Sequence, residues 1–178
     1  MNQTADTAGA DFLAVVLSEF RKCKKMAEKV FDQLEDQDFY YVPDEESNSI
    51  AVIIKHMAGN MRSRWTDFLT TDGEKPDRHR DTEFVEQDMT RELLLEVWNA
   101  GWQCVLDAIE PLDETQLLQT VYIRKEPHTV VKAILRQLGH YAYHVGQIAY
   151  IGKHLRGDQW VSLSIPRGKS EEYLRGKR

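Results

Sequence analysis

The chain has 178 residues, 42% of them hydrophobic and 29% charged, which is typical of one globular domain with its own core. The net charge of −6 excludes the basic footprint of most nucleic-acid binders, so we expect no nucleic-acid partner. Neither a signal-peptide pattern nor a long apolar run occurs, and the two cysteines form no CxxC motif. We therefore expect no membrane span, reduced thiols and a cytoplasmic location.

Apolar residues recur every three or four positions in the first part of the chain and predict two helices. The first is expected at about 11–35 with Asp11 as its N-cap, and the second at about 49–69 with Ser49 as its N-cap. The charged segment TTDGEKPDRHRDTEF follows the second helix and has no periodicity. We expect this segment to be an exposed loop.

The second half of the chain predicts two more helices. The third is expected at about 89–109, after Asp88, and the fourth at about 130–155, with Thr129 as its N-cap. Between them, the segment TVYIRKEPHT fits a short strand or an extended connection. Four helices with one apolar stripe each predict an all-α fold, an antiparallel four-helix bundle.

We expect a single domain over residues 1–178. Its core spans about 11–155, and a C-terminal extension occupies 156–178. The tryptophans suggest self-association, because they exceed what one small bundle needs to bury. A leftover apolar patch would favour a homodimer, which light scattering after size exclusion would reveal. The tryptophans in question are Trp65, Trp98, Trp102 and Trp160.

His140 and His144 stand four residues apart in GHYAYHVGQI. On a helix this spacing places them one turn apart and about 40° apart in projection, so both imidazoles can reach one ion. Their sector borders the apolar stripe and includes Gln137 and Gln147, which we expect to be hydrogen-bond partners that orient the ligands. Histidine pairs at this spacing also occur on surfaces or in hydrogen bonds without a metal.

His56 in the second helix is the candidate for a third ligand. Its flank also carries Asn60 and Ser63, and a buried polar flank of this kind is unusual unless something is bound there. Asn60 is therefore a further candidate partner for the imidazoles. Helical projection alone leaves open which way His56 faces. The other histidines are expected to be ordinary exposed residues, namely His79, His128 and His154.

A histidine in the second helix and HYAYHVGQI in the fourth resemble the DinB-like (YfiT-like) superfamily over about residues 11–155. The segments KHMAGNMRSRWTDFLTTDGEKPDRHRD and WVSLSIPRGKS look like its uncharacterised DUF1572 branch. The resemblance implies a four-helix bundle, often a homodimer, that holds a divalent metal ion through His56, His140 and His144. It also implies kinship with thiol-dependent transferases and isomerases that use bacillithiol, mycothiol or glutathione.

Three histidine ligands leave a coordination position open, which is typical of a catalytic metal. The ion that the resemblance implies is nickel or zinc, with iron or manganese as alternatives. The resemblance to thiol-dependent enzymes makes a metal-dependent thiol S-transferase our leading hypothesis. Such an enzyme would join a low-molecular-weight thiol to a small electrophile, and a thiol that coordinates a metal loses its proton and becomes a nucleophile.

Two other functions stay open. Metal-activated water would make a metal-dependent hydrolase, but no Asp or Glu interleaves the helix-four motif as a general base. A non-enzymatic binding or stress-response module, stabilised by the metal, is the second alternative.

Overall fold

The structure, a computed structural model, describes residues 7–85 and 89–176 and is mostly helical. The helices are α1 (Ala8–Phe31), α2 (Ile50–Trp65), α3 (Arg91–Ile109), α4 (Val130–Arg156) and the short α5 (Ser170–Arg175). Two antiparallel strands complete the regular structure, β1 (Thr120–Ile123) and β2 (Glu126–Thr129). The fold is therefore all-α, with one small hairpin.

The four long helices of the described chain pack around a common apolar core. Helix α1 contacts α4 and α3, while α2 contacts α3 and α4. Helix α2 is buried on nearly all sides, and this position carries its polar residues into the interior. No helix among the described residues combines the length and apolar character that a membrane crossing requires.

The tryptophans lie inside the fold. Trp65, Trp98 and Trp102 are buried, and half-buried Trp160 packs against the core. The expectation that they leave an apolar patch is wrong, because the core takes up their indole rings within one chain. The homodimer stays a prediction without that support.

Two of the predicted helix starts are confirmed. The side chains of Ser49 and Thr129 each accept a hydrogen bond from the backbone N–H three residues later, as N-caps do. Asp11 is not an N-cap, because α1 begins earlier and is capped by Thr7. Asp88 lies outside the described residues, and α3 is capped by Thr90.

Helices α1 and α2 both end about four residues earlier than predicted. Helix α1 ends at Phe31 rather than 35, and α2 ends at Trp65 rather than 69. Thr66 leaves the helical region with ψ of 120°, and Asp67 has φ of 48°. Buried apolar residues just beyond these ends, such as Phe68, continue the apolar pattern without continuing the helix.

The hairpin accounts for the irregular segment TVYIRKEPHT. Its tight turn consists of Arg124 and Lys125, whose φ values are 56° and 64°. Both turn N–H groups donate to the carboxylate of Asp72, at 2.8 and 2.7 Å. Because Gly73 N also donates to Tyr122 O at 2.7 Å, the hairpin is fastened to the segment that follows α2.

The charged segment at 70–84, expected to be an exposed loop, instead packs against α2. The side chains of Arg78 and Glu83 are only 4% and 10% exposed. The reason lies in α2, where buried Ser63 donates to Gly73 O at 3.0 Å and Arg64 pairs with Glu74 at 3.0 Å. Lack of periodicity indicated a loop correctly. The charges of Glu74, Arg78 and Glu83 are paired, whereas Asp77, Arg80 and Asp81 are exposed as expected.

The C-terminal extension runs back over α1. Gln33 holds Val161 through two hydrogen bonds, accepting from its N–H at 2.8 Å and donating to its carbonyl at 3.2 Å. Helix α5 has no buried residue.

Gly101 sets the close approach of α3 to α2. A Cβ at this position would lie 3.0 Å from Ala58 Cα and 3.1 Å from Met61 Sδ. The added side chain of Gly101→Val would overlap α2 and force this helix to shift. We therefore predict that the substitution lowers the free energy of unfolding, measured by urea denaturation, by about 1–3 kcal/mol. Gly146→Ala is the matched control, since no atom lies within 4 Å of its Cβ. It should stabilise the protein by about 0.5–1 kcal/mol, and equal effects would contradict the account.

Candidate metal centre

Helices α2 and α4 bring the three predicted histidines together. The Nε2 atom of His140 lies 3.1 Å from Nε2 of His144 and 3.4 Å from Nε2 of His56. One ligand atom from each histidine lies within 4.8 Å of the others, and no carboxylate joins this cluster among the described residues. His56 is 5% exposed, and the helix-four pair is half-buried. The side chain of His56 therefore faces the interior, which helical projection alone left open.

Hydrogen bonds at the Nδ1 atoms fix the orientation of two of the imidazole rings. Nδ1 of His56 lies 3.0 Å from Glu83 Oε2, and Nδ1 of His144 lies 2.8 Å from Gln147 Oε1. A carboxylate only accepts, so the hydrogen of His56 sits on Nδ1 and its Nε2 keeps a free lone pair. The same argument holds for His144 with the amide oxygen of Gln147.

The three facing nitrogens fit a metal ion better than they fit one another. His140 Nε2 faces two lone pairs but has at most one hydrogen to donate, so one of the two contacts would be repulsive. Tetrahedral coordination at about 2.0–2.1 Å would separate ligand nitrogens by about 3.3 Å, close to the two separations of 3.1 and 3.4 Å from His140 Nε2. The residues present therefore suit a divalent ion.

Burial keeps the helix-four imidazoles in the form that can coordinate. Desolvation, together with the nearby charges of His144 and His56, lowers the pKa of His140 to about 3. Desolvation also lowers the pKa of His144, against the opposing effect of the hydrogen bond that its Nδ1–H donates to Gln147. Both rings are therefore neutral near pH 7, as a ligand nitrogen must be.

Glu83 is locked behind His56. Arg78 donates two hydrogen bonds to its carboxylate, Nε to Oε1 and Nη2 to Oε2, both at 2.8 Å. Burial alone would raise the pKa of Glu83, but the hydrogen bonds from Arg78 and His56 outweigh it and lower the pKa. The ring of Phe84 stacks on His56 with centroids 4.8 Å apart. His56 is thus held by residues from the segment that was expected to be exposed.

The polar residues expected beside the imidazoles divide into two groups. Gln147 bonds directly to His144, whereas Gln137 and Asn60 bond to each other at 2.5 Å. Buried Tyr141 joins this second pair, because its hydroxyl donates to Asn60 and accepts from Gln137 and Trp65. Gln137 and Asn60 therefore fasten α2 to α4 just below the histidines.

Of the remaining histidines, His79 and His154 are exposed as expected. His128 is only 6% exposed, so the expectation for it is wrong. It stands opposite Val121 in the hairpin, and strand alternation places both residues on the inner face.

Glu83 and Arg78 were not identified from the sequence as parts of the site. Glu83 lies 27 residues after His56, in a segment without periodicity. The available signal was indirect, since a buried histidine that binds metal generally needs an acceptor for its second nitrogen.

Comparison with known proteins places the chain in a family. A family described as a protein of unknown function, DUF1572, matches residues 7–169. The chain belongs to the DUF1572 family. This confirms the branch that the motifs predicted, while the wider DinB-like relationship stays a prediction. No curated protein matches the chain.

A solved structure is similar to this DUF1572 chain, the crystal structure of a conserved protein from Enterococcus faecalis. The TM-score is 0.62 at 16% sequence identity, with 82% of this chain and 97% of that chain covered. At this level of identity the likeness shows a shared fold alone.

The carboxylate behind His56 gives a test of the site in the DUF1572 chain. We predict that Glu83→Gln weakens zinc binding by about 10- to 100-fold, because the amide orients His56 less firmly and removes the carboxylate that accepts two hydrogen bonds from Arg78. Competition with a chromophoric chelator measures this affinity. Asp81→Asn, an exposed carboxylate on the same short turn, is the control and should leave affinity unchanged. Equal affinity in Glu83→Gln and the wild type would contradict the assigned role.

Proposed function

We propose that this DUF1572 protein binds a divalent metal ion through His56, His140 and His144 and uses it in thiol S-transfer. The observation that carries the proposal is the convergence of three Nε2 atoms, two of them 3.1 and 3.4 Å from the third. The proposal includes a DinB-like antiparallel four-helix bundle and a cytoplasmic location. Nickel and zinc are the ions that the DinB-like resemblance implies, with iron or manganese as alternatives.

A divalent ion held by three imidazoles has a position open for substrate and would lower the pKa of a thiol bound there. The chain's own contribution is to hold the imidazoles. Glu83 and Gln147 fix the rings of His56 and His144, so little reorganisation is needed on binding.

The absence of a free carboxylate beside the histidines, among the described residues, favours thiol chemistry over hydrolysis. Glu83 lies near the histidines, but both of its oxygens are engaged by Arg78 and one also by His56. It is therefore unavailable as a general base for water. A low-molecular-weight thiol that loses its proton on binding needs no such base.

A cavity of about 510 Å³ gives a small substrate room beside the site. Its lining includes Gln147, the partner of His144, together with Ile53, Tyr143 and Tyr150. This volume lies in the range of small-molecule pockets. A lining that combines apolar and aromatic side chains with the polar Glu46, Ser47 and Asn48 suits a small organic electrophile.

Metal content is the first test. We predict about one nickel or zinc ion per chain by elemental analysis of protein made without a histidine tag, and loss of that ion in His140→Ala. His154→Ala, an exposed histidine further along α4, is the matched control and should keep its metal. Wild-type protein that takes up no divalent ion would refute the proposal.

The same variant separates a catalytic metal from a structural one. If His140→Ala loses metal but keeps the thermal midpoint of the wild type, the ion is not needed for folding. If the fold is lost together with the metal, the alternative of a metal-stabilised binding module gains support.

Thiol transfer is the second test. We predict that metal-loaded protein accelerates the reaction of glutathione, cysteine or a related small thiol with 1-chloro-2,4-dinitrobenzene. The thiol sulfur bonds to the ring carbon, chloride leaves with the bonding electron pair, and the thiol proton passes to solvent. Absorbance of the thioether measures the rate, with free metal salt and His140→Ala as controls. Rates no faster than these controls across the thiol panel and further electrophiles would contradict thiol transfer, while metal binding could still hold.

A further inference from the structure

A second cavity, of about 190 Å³, adjoins the candidate metal centre on the side of His56 and His140. Arginine dominates its lining. The guanidinium groups that line it belong to Arg64, Arg78, Arg80, Arg124 and Arg136. No Asp or Glu is among the lining residues that the structure describes. Such a concentration of positive charge is unexpected on a chain whose net charge is −6.

The carboxylates behind the cavity do not match these arginines in number. Glu74 bonds to Arg64 at 3.0 Å and to Arg124 at 2.7 Å, and Glu83 holds Arg78. The nearby carboxylate of Asp72 is occupied by backbone N–H groups of the hairpin turn. Of the five guanidinium groups, three are thus bonded to two carboxylates.

Two of the arginines carry no carboxylate partner within the described residues. Arg136 is exposed on α4, one turn before His140, and Arg80 lies over the ring of Phe84 at 5.2 Å. Both guanidinium groups are therefore available to a ligand in the cavity.

Two buried nitrogen atoms of the lining residues also lack acceptors among the described residues. Arg64 is 5% exposed, and its Nε has no hydrogen-bond partner in the described part of the chain. His140 Nδ1 is likewise buried without a partner there, and it carries the hydrogen when Nε2 serves as a ligand. A group rich in acceptor oxygens and negative charge complements such a lining.

The size of the cavity limits the ligand. Pockets for whole small molecules usually measure about 300–1,000 Å³, so a cavity of about 190 Å³ suits one charged group of a larger substrate. We propose that this arginine-lined cavity binds the carboxylate or phosphate group of a small anionic substrate beside the three-histidine site. Its place in a reaction rests on the proposed function, but anion binding itself does not.

Isothermal titration calorimetry with inorganic phosphate and with succinate tests the cavity and distinguishes the two oxyanions. Zinc-loaded wild-type protein should bind at least one of them, and the double variant Arg80→Gln, Arg136→Gln should bind it at least about tenfold more weakly. Arg62→Gln is the matched control, because Arg62 is exposed on α2 and lines a different cavity. It should bind like the wild type.

The variant His144→Ala separates this proposal from the metal proposal, because His144 is a candidate ligand that does not line the cavity. Anion binding that survives in metal-free His144→Ala and falls in the arginine double variant supports the cavity even if no metal is bound. No binding of either anion to the wild type overturns the proposal. Equal binding by wild type and the double variant also overturns it, because the anion would then sit elsewhere, such as on the metal.

Discussion

Four polar residues of α2 are buried, and the arrangement around this helix follows from the need to give them partners. His56, Asn60, Ser63 and Arg64 are each no more than 5% exposed. A buried polar group without a partner costs about 1–3 kcal/mol, so four such residues on one helix demand bonding groups from several directions. Helix α4 bonds Asn60, and the segment after α2 bonds the other three.

This constraint gives the candidate site its rigidity. The histidines stand on two helices that are fastened to each other by the Asn60, Gln137 and Tyr141 network, directly below the imidazoles. The segment after α2 is anchored at Ser63 and Arg64, and it delivers Glu83 to the back of His56. Ligands on helices, oriented by buried partners, suit a metal whose open position does chemistry.

The sequence predicted the four long helices and two of their N-caps from local periodicity and capping. Ser49 and Thr129 mark true helix starts, and the four-residue spacing of His140 and His144 places both on the side that meets α2. The sequence did not predict which residues pair when they lie far apart along the chain. The residues around Glu83 in the sequence do not distinguish its carboxylate from the exposed ones near it. His128 faces the interior because of the register of the hairpin, which pairs it with Val121. The burial of the tryptophans likewise depends on the packing of the helices in three dimensions.

The central claim is that three imidazole nitrogens coordinate one divalent ion. X-ray absorption spectroscopy of the tag-free protein loaded with a single equivalent of zinc tests it most directly. The account predicts three imidazole ligands at about 2.0–2.1 Å, with the remaining position filled by a light atom from solvent. A spectrum with fewer than three imidazoles, or one dominated by solvent oxygens, would contradict it.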